Sequence, residues 1–191
     1  MLGIHSGPIL YTYLGSTYGN CEKRRRINFL RSVNSMFSAN QSERNGDYLL
    51  LGLDLVGEEE RMLAMYDNPP IMALRHNYLT VLNRELGANF NADAYKVIVK
   101  WSRMETEGKA EAYFVSKRQQ HVVIPPLDSD DVHNTPVTVV LEEEEPLLLA
   151  ISVKFTREGI ETELREAGMQ LCAWLTDVKE RFALALARKQ Q

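Results

Sequence analysis

Cysteine is scarce. Cys21 and Cys172 are the only two in 191 residues, and neither belongs to a CxxC pair or a Cys/His cluster. A disulfide framework and a structural zinc site are both unsupported, and the pattern suits a reducing, cytoplasmic compartment. Long hydrophobic runs are missing too. Residues 48–53 and 146–153 form the longest, far short of the roughly 20 residues of a membrane span. The N-terminal MLGIHSGPILYTYLGS lacks the basic n-region and long apolar core of a signal peptide. Positive charge is not in excess: 22 Lys and Arg stand against 26 Asp and Glu, a net charge of −4. A nucleic-acid partner would call for a basic stripe. The one basic run, Lys23-Arg24-Arg25-Arg26, reads as a solvated helix face.

Hydrolytic and phosphate-loop motifs are absent. No GxSxG elbow or GxxxxGK[ST] loop occurs. His5, His76, His121 and His133 have no Cys, Ser or carboxylate partner at a telling spacing, and the run Glu142 to Glu145 reads as solvated surface rather than a metal site. What remains is an ordinary globular composition, 45% apolar and 25% charged, with length for one domain or two small ones.

The hydrophobic pattern alternates between strand and helix. Residues 8–14 (PILYTYL) read as a strand ended by Gly15, and residues 22–37 as an amphipathic helix with Ile27, Leu30, Val33 and Phe37 on one face. Residues 38–46 are a polar loop. Residues 48–56 (YLLLGLDLV) read as a strand buried on both faces. A short helix over 58–66 and the breaker DNPP follow. Residues 71–86 form a helix packed through Leu74, Tyr78, Val81, Leu82 and Leu86 and stopped by Gly87. Five short strands are expected over 95–101, 110–115, 120–124, 137–141 and 147–155, with Gly108, Pro125-Pro126 and the acidic stretch 127–134 between them. Thr156 is a candidate N-cap for a helix ending at Gly168, and strands over 169–175 and 182–187 close the chain as a hairpin. Strands alternating with helices predict an α/β fold with a parallel sheet, one antiparallel strand at or near its edge, and ligands at the carboxyl ends of strands.

Two clusters stand out at such ends. LGSTYGN, residues 14–20, follows a strand and precedes a helix. Its glycines admit a close backbone approach, the helix start offers N–H groups to an anion such as a carboxylate, and Thr17 and Asn20 add side-chain donors and acceptors. MYDNPP, residues 65–70, puts a tyrosine beside a Pro-Pro break, where its hydroxyl either enters a cleft or is simply half-buried.

LGSTYGN, LLLGLDLVGEEERMLAMYDNPP and LRHNYLTVLNRELGANFN together resemble the histidine-type, S-adenosylmethionine-dependent Nα-methyltransferase family, over residues 14–123 and again over 151–188. Its members methylate the α-amine of an amino acid, either histidine on the ergothioneine route or dimethylallyltryptophan on the ergot-alkaloid route. The resemblance implies a Rossmann-like methyltransferase sheet in a single partial domain. Residues 8–92 and 147–191 would form its α/β core and residues 93–146 a β-rich, substrate-binding insert. It also implies S-adenosylmethionine as methyl donor and a small amino-acid substrate, with no nucleic acid or membrane partner.

The family's substrate site carries over by residue. Asn20 and Tyr66 match the residues that hold the carboxylate. Gly15 and Thr17 match those that meet the amine, Ser152 matches a side chain facing the substrate ring, and Asn77 sits at a family-typical Asn. Methyl transfer is a displacement at carbon, so orientation carries much of the catalysis. No general base or other catalytic residue is identified, and water is available to take the amine proton.

Three departures set further expectations. Ala150 stands where the histidine enzymes have a carboxylate for the imidazole, and Ala112 or Tyr113 where they have a bulky Met. An unpartnered imidazole costs roughly 1–3 kcal/mol, while apolar burial of an indole gains about 25 cal/mol per Å². These changes point to a tryptophan-derived substrate, with histidine the alternative. The family's glycine-rich cofactor turn, the acidic residue after its second strand and its N-terminal lid find no counterpart here. The chain therefore reads as a C-terminal portion, expected to bind the cofactor poorly alone. The remaining alternative is a non-catalytic relic or interaction protein that pairs with a complete homologue or a missing N-terminal half.

Overall fold

A computed structural model describes residues 7–37, 46–126 and 135–190. The acidic stretch 127–134, all but the last residue of the loop 38–46, and His5 and His133 lie outside the described residues. The chain divides into two compact units. One comprises residues up to Glu58, Ser102–Lys109 and Ile151 onward; the other comprises Glu59–Trp101 and Ala110–Ala150. Residues 59–92, counted above with the α/β core, thus group with the β-rich segment.

The first unit is built on a four-stranded sheet in the order β1-β2-β9-β8. These are β1 (Leu10–Tyr13), β2 (Tyr48–Asp54), β8 (Met169–Thr176) and β9 (Phe182–Lys189). β1 and β2 are parallel, with Leu10 opposite Tyr48 and Tyr13 opposite Leu51. β9 is antiparallel to both β2 and β8. One strand therefore runs against the other three, next to the sheet edge, as the closing hairpin predicts. The β2 run is apolar because Leu49, Leu51 and Leu53 are all buried, and β9 alternates Ala183, Ala185 and Ala187 inward. α1 (Lys23–Met36) adds Leu30 and Val33 to this core; α4 (Arg157–Glu166) adds Ile160 and Leu164. Thr156 caps α4 by accepting a hydrogen bond from the Gly159 N–H at 3.1 Å.

The basic run departs from expectation. Lys23, Arg24 and Arg25 are exposed, but Arg26 is fully buried. Its position, four and seven residues before Leu30 and Val33, puts it on the inward face of α1.

In the second unit, α2 (Glu59–Ala64) leads to α3 (Pro69–Leu86), capped by Asn68 and ended by Gly87 at φ 63°. The buried residues of α3 are Arg75 and Leu79, whereas Leu74, Tyr78 and Leu82 are exposed. Three of the five residues expected to pack thus lie outward, with Val81 and Leu86 half-buried, because the inward stripe includes an arginine that periodicity scores as polar. The Arg75 guanidinium donates to the Tyr66 carbonyl at 3.0 Å. β3 (Tyr95–Arg103), β4 (Glu107–Ser116) and β7 (Pro146–Phe155) form a three-stranded sheet whose strands are shared between the units. Gly108, read as a break, lies inside β4 and is buried. β5 (Gln120–Ile124) and β6 (Val137–Leu141) pair antiparallel, and Tyr95, Phe114, Val122, Leu141 and Leu79 make the core.

Candidate functional site

The turn after β1 is the best-defined part of the site. Gly15 and Ser16 both take left-handed backbone, at φ 82° and 62°, and residues Thr17–Gly19 then form one 3-10 turn. Two glycines, Gly52 on β2 and Gly19 in the turn itself, let this turn seat closely. A methyl group on Gly52 would stand 3.1 Å from the Gly15 nitrogen, and one on Gly19 would run into the Val153 carbonyl. The turn is therefore pressed against β2 on one side and the Val153 backbone of β7 on the other.

Tyr18 anchors the turn from within. It is 2% exposed, it packs on Phe29 and Phe155, and its hydroxyl donates to Glu163 at 2.7 Å. Glu163 in turn accepts from the Arg26 Nε at 3.1 Å. The same guanidinium reaches the Cys21 carbonyl at 2.9 Å and Glu107 at 2.5 Å, and lies 5.2 Å above the Phe155 ring. Burial, reinforced by Glu163, pushes the Tyr18 phenol above its ordinary value. Burial acts against the charge on Arg26, but its hydrogen bonds and attraction to Glu163 outweigh it, so the guanidinium is held more firmly protonated. With Tyr18 and Gly19 inside, Thr17 and Asn20 remain exposed at the surface of the turn.

Ser152 lies on β7, half-buried, and meets a second buried charge. The Lys154 ammonium, with 2% of its side chain exposed, donates to Asp54 at 2.7 Å and to the Ser152 hydroxyl at 3.1 Å. Asp54 is the last residue of β2. Gly15, Thr17, Asn20 and Ser152 all belong to the first unit. Tyr66, Asn77 and Ala150 belong to the second. There Tyr66 is half-buried, its carbonyl held by Arg75, and Asn77 and Ala150 are exposed. Ala112 is buried, and Tyr113 is half-buried with Lys100 above its ring at 5.4 Å. Among the described residues no three His, Cys, Asp or Glu side chains converge as metal ligands, and no helix is long and apolar enough to cross a membrane.

Arg26, Glu163, Asp54 and Lys154 were not among the residues singled out from sequence. A signal existed for the second pair. LLLGLDLV and LLLAISVKF each carry one lone charge, of opposite sign, in a strand that reads as buried. Buried charges are paired, so two such strands implicate each other.

A parallel strand pair, a glycine-seated turn at the carboxyl end of β1 and a helix soon after it define an α/β protein of the kind that takes ligands at its strand ends. The chain belongs to the histidine-specific, SAM-dependent methyltransferase family, whose profile matches residues 3–189. It is 35% identical over 185 residues to the histidine N-alpha-methyltransferase of Mycolicibacterium smegmatis, and 34% identical to that of Mycobacterium tuberculosis. The alignment takes in 96% of this chain and 53% of either relative, so the chain spans about half their length. Among solved structures, an S-adenosylmethionine-dependent methyltransferase from Clostridium acetobutylicum aligns over 100% of this chain and 62% of its own, at 9% identity and TM-score 0.41.

Two carboxylates of the first unit lie at the ends of β2, and each already has a partner. A ribose diol is commonly held by a carboxylate near a strand end. Here Asp54 is committed to Lys154, and Asp47 accepts from the Ile9 N–H at 2.8 Å. Gly52, the glycine inside β2, is filled by the chain's own residues Leu14 and Gly15 rather than left open as a cradle.

Proposed function

We propose that this chain carries the amino-acid-binding portion of an S-adenosylmethionine-dependent Nα-methyltransferase, and that the amino acid is histidine. The observation that carries the reading is the seating of the Gly15–Asn20 turn against the backbone of β7 at Val153, the residue that follows Ser152. Donors for a carboxylate, from Asn20 and the turn N–H groups, and acceptors for an amine, from the Thr17 hydroxyl and the turn carbonyls, thereby share one unit with a side chain suited to a substrate ring. Holding the carboxylate and the amine together fixes the direction of the amine lone pair, which is where such a reaction gains most. The names of the two relatives favour histidine. Ala150, without a carboxylate, favours a tryptophan-derived substrate and is the basis of the second reading.

Calorimetric titration of the 191-residue chain tests this. Histidine binding at least about tenfold tighter than tryptophan, a gap of about 1.4 kcal/mol, and lost in Asn20→Ala, is the expected result. Tighter tryptophan binding, or binding indifferent to Asn20, overturns it. In the same titration S-adenosylhomocysteine is expected to show no micromolar affinity for the chain alone.

A further inference from the structure

We propose that Arg26 and Glu163 are positioning residues that hold Asn20 ready for the carboxylate of the amino acid. The inference rests on the amino-acid reading above and names what fixes that site before the ligand arrives. Asn20 is exposed and closes a single 3-10 turn. Such a residue is free to move, and a ligand that needs it in one orientation bears the cost of ordering it. Here the chain on both sides of Asn20 is tied to one buried guanidinium. Before it, the Tyr18 hydroxyl donates to Glu163 at 2.7 Å, and Glu163 accepts from the Arg26 Nε at 3.1 Å. After it, the Cys21 carbonyl accepts from the Arg26 Nη1 at 2.9 Å. A guanidinium carries its N–H donors in one rigid plane, so holding Glu163 and Glu107 with the other nitrogens fixes where Nη1 points. Arg26 is fully buried, so water does not compete for these bonds.

The two ends of the turn are held by different means. The Gly15 end is seated by Gly52 of β2, whereas Asn20 lies between the two ties to Arg26. Gly15 is matched to the amine and Asn20 to the carboxylate. Loss of the network should therefore be felt through the carboxylate, and a ligand that lacks only that group should not register it.

The test compares L-histidine with histamine, which lacks the carboxylate, by calorimetric titration of the 191-residue chain. Arg26→Met combined with Glu163→Leu replaces the buried ions by apolar side chains, a change compatible with folding. In this double variant histidine is expected to bind about tenfold more weakly, the worth of ordering one turn residue, while histamine changes less than about twofold. An equal loss for both ligands would reduce the network to a structural role and overturn the proposal, as would no loss for either. Where circular dichroism shows that the double variant does not fold, Tyr18→Phe keeps the ring and removes only the tie to Glu163. Histidine is then expected to weaken about threefold with histamine unchanged, and an unchanged histidine affinity overturns the proposal. On the tryptophan-derived reading, tryptophan and tryptamine take the same two places. An unsubstituted chain that binds neither amino acid overturns the amino-acid reading and this inference with it. Amino-acid binding indifferent to Arg26 and Glu163 overturns this inference alone.

Discussion

Glu163→Ala tests whether the buried charge network holds the site's principal turn. The Arg26 side chain has 0% exposure and that of Glu163 4%. Removing Glu163 leaves the guanidinium with Glu107, whose side chain is 18% exposed, and the Cys21 carbonyl. It also strips the Tyr18 hydroxyl of its acceptor. Breaking a buried pair on one side costs about 3–5 kcal/mol, because the remaining charge is uncompensated. The surviving Glu107 contact puts this case toward the lower end. At a urea m-value of about 2–3 kcal/mol/M, the unfolding midpoint should fall by about 1–2 M. A fall below about 0.3 M would mean that Arg26 reaches water and that the network is not desolvated. The double replacement Arg26→Met with Glu163→Leu should recover most of the loss, since an apolar pair of similar volume needs no charge compensation. The network also carries a pH signature. The Tyr18 phenol is raised above its ordinary 10.0 by burial and then by Glu163. The folded chain holds it protonated where the unfolded chain ionises it. Its contribution is complete below about pH 10 and is lost as the pH rises further, a loss that Tyr18→Phe should remove.

Two further outcomes follow from the same unit. Gly19→Ala should destabilise by about 1–3 kcal/mol in urea titration, because the new methyl meets the Val153 backbone carbonyl rather than a flexible side chain; it should also abolish histidine binding by displacing Thr17 and Asn20. Asp177 accepts backbone N–H bonds from Phe182, Arg181 and Lys179 in the β8–β9 turn, which hold its carboxyl below the usual 3.8. Its contribution is present above that value and lost as the pH falls through the lowered one. Asp177→Asn should therefore melt below the unsubstituted chain at neutral pH, with the gap closing in acid.

The parts of this molecule legible in sequence are those set by local pattern. The Gly87 and Gly168 stops, the Thr156 cap and the closing hairpin rest on φ preference, a side-chain oxygen and period-2 alternation, all carried by a few adjacent residues. The turn at residues 15–20 was legible in the same way, but the reason it is held where it is was not. That reason is spread over residues distant in sequence. Tyr18 depends on Glu163, Glu163 on Arg26, and Gly19 on the backbone at Val153. Periodicity scores arginine as polar wherever it stands, so it sent Arg26 to solvent and assigned the outward stripe of α3 to the core. An inward arginine is allowed only when a carboxylate or carbonyl waits for it, and that condition is a property of the fold. The residues that hold the turn, Arg26 above all, are therefore ones a local reading places on the surface, whereas Asp54 and Lys154, each a single charge in an apolar strand, are ones it could have paired.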